Sequence, residues 1–199
     1  MAHGERLVFV DVETAGLKSS PKIIQIAAVA IDADLNEVES FETKVRFEPT
    51  KMTKGSFEPT LWKRIANQPE KAADEFAAFL RRHATVDMVS KAGNPYQLAR
   101  LAAHNASFDC PLLEKWYRDL GSFFPAARST FCTLQRAYWL FEEDKSLSPP
   151  ADYKLATLCE YFGITLPRPD AHNAVADVQA TVKLYRAIVD FVHFEDDED

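Results

Sequence analysis

The stretch Leu7-Val8-Phe9-Val10-Asp11-Val12-Glu13-Thr14 limits the folds open to this chain more than any other. Consecutive apolar residues, Val8 and Val10 β-branched among them, predict a strand covered on both faces, which requires a layer of structure above and below it. Side chains alternate along a strand, so Asp11 and Glu13 share one face. Neighbouring carboxylates at the end of a buried strand repel each other and resist desolvation. Either the strand has ended there and both acids are hydrated, or a cation sits between them.

The next segments extend the sheet. Beyond a Gly/Ser/Pro loop at 14–21, Lys22–Ile31 reads as a second apolar strand. Ser40–Phe47 alternates, with Phe41, Thr43, Val45 and Phe47 on one face of a half-exposed third strand. Short connections predict an antiparallel meander. Ala73, Phe76, Ala77 and Leu80 give Glu70–His83 helical spacing. Thr85–Pro95 is the least readable segment, with Gly93-Asn94-Pro95 marking a turn, and Leu98–Ala103 is either helix, by propensity, or a short strand running into His104. Helices are expected from Asp109, with Pro111 in the first turn, over Phe131–Phe141, over Lys154–Phe162 with Gly163 as the stop, and from about Ala174 to Val192.

That last helix carries a second clue. With Asp177 at zero on a wheel of 100° per residue, Leu184, Ile188, Thr181, Val192, Ala174, Tyr185 and Val178 fall between about −20° and +100°. Gln179, Arg186, Asp190 and Lys183 take the opposite side. Asp177 therefore looks into the protein, where a carboxylate needs a hydrogen-bond partner or a cation. His172 would point about 140° away on a continuous helix, so it faces the same site only from a non-helical lead-in. The prolines of Pro167-Arg168-Pro169-Asp170 permit one. Asp109, in Ala103-His104-Asn105-Ala106-Ser107-Phe108-Asp109, is either a helix cap or a further acid of the same site.

Charge narrows the function classes. The net charge is −7, and the five acids of Glu195–Asp199 leave about −2 for the rest, a poor match for tight, nonspecific duplex binding. No apolar run reaches the length of a membrane span. Cys110, Cys132 and Cys159 lack CxxC spacing and read as reduced thiols of a cytoplasmic protein. Residues 1–194 suit one domain, and 195–199 an acidic, disordered tail. Carboxylates at element ends, with no thiolates, favour Mg²⁺ or Mn²⁺ over zinc. Two such ions, roughly 3.5–4 Å apart, can activate water and stabilise the leaving oxygen of a phosphodiester, with a His as general base.

Three motifs in order resemble those of the DEDDh (DnaQ-like) 3′–5′ exonucleases: Asp11-Val12-Glu13-Thr14 with Gly16-Leu17, then His104-Asn105-Ala106-Ser107-Phe108-Asp109, then His172 with Asp177. Lys154–Ile164 resembles the helix before the third motif, and the similarity spans roughly Leu7 to Phe191. The resemblance implies a ribonuclease-H-like α/β fold, a mixed sheet with helices on both faces. It implies that Asp11, Glu13 and Asp177 bind a pair of metal ions, with Asp109 completing the cluster directly or through water. His172 would take the proton from the attacking water. Thr14, Leu17, Asn105 and Phe108 would hold the 3′-terminal nucleotide, Leu17 as a wedge and Phe108 as a stacking surface. The products would be 5′-mononucleotides from single-stranded or frayed ends, DNA ahead of RNA.

Some features depart from the family pattern. Gln25 replaces a common acid at a non-catalytic position, and Thr85–Gln97 is extra length bearing on the substrate entrance or a subunit contact. No long extension of a polymerase-tethered proofreading subunit follows the last helix. An RNA-directed enzyme, similar to oligoribonuclease-like and ribonuclease-T-like relatives, is the alternative. A non-catalytic nucleic-acid-binding module is the reading from another class, although every motif position keeps its residue.

Overall fold

The computed structural model describes residues 5–15, 21–47, 62, 64–166 and 174–196, with side chains up to 192. Three strands, β1 (Leu7–Ala15), β2 (Lys22–Ile31) and β3 (Glu37–Lys44), form the expected antiparallel meander. β1 also pairs in parallel with β6 (Arg100–Ala103), and β6 with β7 (Phe131–Cys132), giving the order β3-β2-β1-β6-β7. The sheet is mixed, β1 lies at its centre, and the fold is ribonuclease-H-like α/β.

Burial on both faces follows from the β1 sequence. Val8, Val10 and Val12 pack with Phe76 and Leu80 of α1 (Pro69–Arg82) and Leu113 of α2 (Ala106–Asp119). Leu7 and Phe9 point the other way, onto Val178 and Val182 of α5 (Ala174–Asp196). Tyr117 ties the first layer together, its hydroxyl donating to the Ala73 carbonyl at 2.6 Å. α3 (Thr133–Glu143) and α4 (Leu155–Tyr161) close a further cluster against Leu184 and Ile188 of α5. Gly163 ends α4 at φ +67°, the left-handed conformation a helix stop requires.

The structure decides some of these readings and corrects others. Of the two for Leu98–Ala103 the strand holds: Leu101, Ala102 and Ala103 are fully covered in a parallel strand, where burial on both faces overrides propensity. Thr85–Gln97 is largely a hairpin, β4 (Val86–Val89) with β5 (Pro95–Leu98), turned by Gly93 at φ +82°. Phe131 and Cys132 belong to the sheet edge, so the following helix starts at Thr133. α2 begins at Ala106 rather than Asp109, which puts Pro111 inside the helix. Its missing N–H forgoes one bond, to the carbonyl of exposed Ser107, a tolerable loss at a helix end. α5 runs on through Asp196, past the expected end near Val192. No helix among the described residues is long and apolar enough to cross a membrane.

Candidate active site

The β1 alternation that buries Leu7 and Phe9 against α5 sends Asp11 and Glu13 to the same face. Asp177 stands in the first turn of α5 and meets them there. One carboxylate oxygen from each of Asp11, Glu13 and Asp177 lies within 4.8 Å of the others. Just beyond Glu13 the register of β1 with β2 shifts, a bulge that leaves Ile24 extra and pairs Thr14 with Ile23.

Asp109 arrives from the opposite layer. It is 4% exposed, and its Oδ1 accepts the Val12 amide at 3.3 Å, between the two acids of β1. It is therefore not the helix cap. Asn105 takes that position in a left-handed conformation, φ +68°, and its Oδ1 accepts the Ser107 hydroxyl at 2.7 Å. That local bond steadies a conformation costly for most residues. Phe108 is 47% exposed beside it, free to present a ring face.

Packing these acids together changes their chemistry. Burial first, then the fields of Asp109, Asp177 and Glu13, push the Asp11 carboxyl up from 3.8 to about 8. Burial also raises Asp109, to about 7, against the pull of the Val12 amide. Without a cation the site therefore retains protons near neutral pH. A divalent ion relieves both the repulsion and the desolvation, and an all-oxygen donor set suits a hard one. Cys110, next to Asp109, adds no soft ligand, because burial pushes its thiol up to about 12. The residues thus fit a divalent metal.

His104 is excluded as a base by its partners. Its Nε2 lies 3.1 Å from the Tyr153 carbonyl, an acceptor only, so Nε2 carries the proton. Nδ1 then accepts from the Thr133 hydroxyl at 2.9 Å, and burial lowers the pKa of the ring. Thr133 and Tyr153 carry no sequence signal for this role, lying 29 and 49 residues away with no motif of their own. Gln25, the register partner of Glu13, donates to Glu42 at 2.9 Å. Thr181 bonds the Asp177 carbonyl at 2.8 Å, so its hydroxyl serves the helix. Leu17 and His172 lie outside the described residues.

A mixed sheet whose central strand ends in a carboxylate cluster faced by a final helix defines a ribonuclease-H-like nuclease core. Residues 8–185 match the RNase_T exonuclease family. The curated relatives include ribonuclease T of Shewanella frigidimarina, 27% identical over 92% of this chain and 81% of the relative. The PolC-type DNA polymerase III of Bacillus subtilis is 36% identical, over 42% of this chain and 5% of its own length. Among solved structures, Escherichia coli exonuclease I in complex with a dT13 oligonucleotide superposes with a TM-score of 0.68 at 19% identity. The match covers 92% of this chain and 41% of that one, so the chain spans well under half of exonuclease I. The chain belongs to the RNase_T exonuclease family, the DEDDh-type, DnaQ-like 3′–5′ exonucleases.

Proposed function

We propose that the chain hydrolyses single-stranded or frayed nucleic acid from the 3′ end with two Mg²⁺ or Mn²⁺ ions, releasing 5′-mononucleotides. The meeting of Asp11, Glu13 and Asp177 oxygens within 4.8 Å is the observation that carries this reading. These carboxylates would hold the metal, and Asp109, anchored on the Val12 amide, would complete the set. When bound, the ions supply positive charge to the scissile phosphate and lower the pKa of water. Thr14, Leu17, Asn105 and Phe108 would seat the terminal nucleotide, Phe108 by stacking. His172 would accept the proton of the attacking water, a role that imidazole fills near neutral pH. Residues 1–194 would act as one catalytic unit, and the free thiols Cys110, Cys132 and Cys159 suit the reducing cytoplasm.

DNA is the favoured substrate. RNA is the second reading, supported by the ribonuclease T relatives, which align over nearly the whole chain. The test is digestion of 5′-labelled single-stranded DNA and RNA of one sequence, with Mg²⁺, with Mn²⁺ and with chelator. A metal-dependent ladder that shortens from the 3′ end is expected. Metal-independent or internal cleavage would sink the proposal.

A further inference from the structure

We infer that the groove between the start of β2 and α2 carries the nucleotides upstream of the scissile bond, a second binding site for single-stranded nucleic acid. The inference rests on the exonuclease reading. The groove encloses about 550 Å³, in the roughly 300–1,000 Å³ range of ligand pockets and enough for about one or two nucleotides.

Both walls of this groove neighbour residues assigned to the terminal nucleotide. On the sheet side Ile23 and Lys22 line it, and they are the register partners of Thr14 and Ala15. On the helix side Leu112 and Lys115 line it. At 100° per residue they fall within about 40° of Phe108, so one α2 face runs from the candidate stacking ring into the groove. A strand whose last base sits on Phe108 would follow that helix face into the groove.

The chemistry matches a nucleic-acid strand. Ile23, Val45, Leu112 and Trp116 make an apolar lining, and the part-exposed indole offers a surface for stacking. Lys22, Arg46 and Lys115 stand against one acid, Asp119. The Asp119 carboxyl is held below its ordinary range by the bond from Lys115 first, with the fields of Arg118 and Lys22 assisting. Lys22 and Lys115, on opposite walls, therefore act on one place. A chain of net charge −7 that gathers cations beside an apolar floor has a local match for a phosphate backbone.

The test compares kcat/KM for a dinucleotide and for a strand of about ten nucleotides, and takes their ratio within each protein. Each is measured across a salt series. Lys22→Glu/Lys115→Glu is set beside Lys145→Glu, an exposed cation just past α3 that lines no part of the groove, with folding checked by circular dichroism. The wild-type ratio should exceed one and fall about tenfold or more in the double variant. Its log–log salt slope should shrink by about 1.4, the loss of about two phosphate contacts on a single strand. Lys145→Glu should keep the wild-type ratio. An undiminished ratio in the double variant, or an equal loss in Lys145→Glu, overturns the groove while the exonuclease reading stands. Failure of the wild type to cut either substrate overturns that reading, and the groove with it.

Discussion

Replacing Asp11 with Asn should stabilise the metal-free protein while removing most of its response to divalent metal. The folded carboxyl binds its proton up to about pH 8, against 3.8 for the ordinary group. Between those values the folded protein holds a proton that the unfolded chain releases. Stability is therefore highest below about pH 4 as far as Asp11 is concerned, and is lost as the pH climbs through 8. At pH 7 the displacement is about 3 pH units, and ~1.4 kcal/mol per unit sets a ceiling of about 4 kcal/mol. Asn escapes the term but must satisfy its own amide in a half-buried site, which leaves a gain on the order of 1–3 kcal/mol. For a chain of this size, a gain of ~2 kcal/mol raises Tm by about 4–8 °C. Thermal unfolding in chelator at pH 7 and pH 5 reads this, and the advantage of Asn should shrink at pH 5. Added Mn²⁺ should raise the wild-type Tm far more than that of the variant. An Asn variant that is less stable in chelator, or that gains as much from Mn²⁺, would refute the electrostatic account of the cluster.

His172→Ala should retain metal affinity and lose about 10²–10⁴-fold in rate, along with the rising limb of the pH–rate profile; loss of Mn²⁺ binding would make His172 a ligand. An oligonucleotide ending in a 3′-phosphate should be cut poorly and a circular single strand not at all, as measured by product length on a gel. His104→Ala should cost about 1–3 kcal/mol in denaturant unfolding, because it strands the Thr133 hydroxyl and the Tyr153 carbonyl. His104→Gln, able to donate to that carbonyl, should recover part of the loss.

The residues that were legible in advance are those whose environment is set by periodicity. Alternation along β1 put Asp11 and Glu13 on one face, and the wheel of α5 turned Asp177 inward; the two predictions meet in one cluster. The wheel still understated α5. Ala180 and Val182 are also buried, because the helix packs against the sheet on one side and against α3 and α4 on another. Asp109 was less legible. Pro111 drew the expected helix start toward it, whereas the true start depends on a left-handed Asn105 that no pattern of apolar residues encodes. Its partner, the Val12 amide, comes from the sheet, 97 residues away in sequence. β6 could not be told from helix, and β7 was hidden, for a related reason. Ala-rich and two-residue strands have no period to read, and they exist because parallel partners cover them.

Binding of Mn²⁺, followed by electron paramagnetic resonance at neutral pH, tests the central claim most directly: that the end of β1 and the start of α5 form a metal centre. The wild-type protein should bind the ion, and Glu13→Gln/Asp177→Asn should lose that binding while its circular dichroism stays native. Equal binding by the wild type and the double variant would contradict the claim, as would a wild-type protein that leaves Mn²⁺ free in solution.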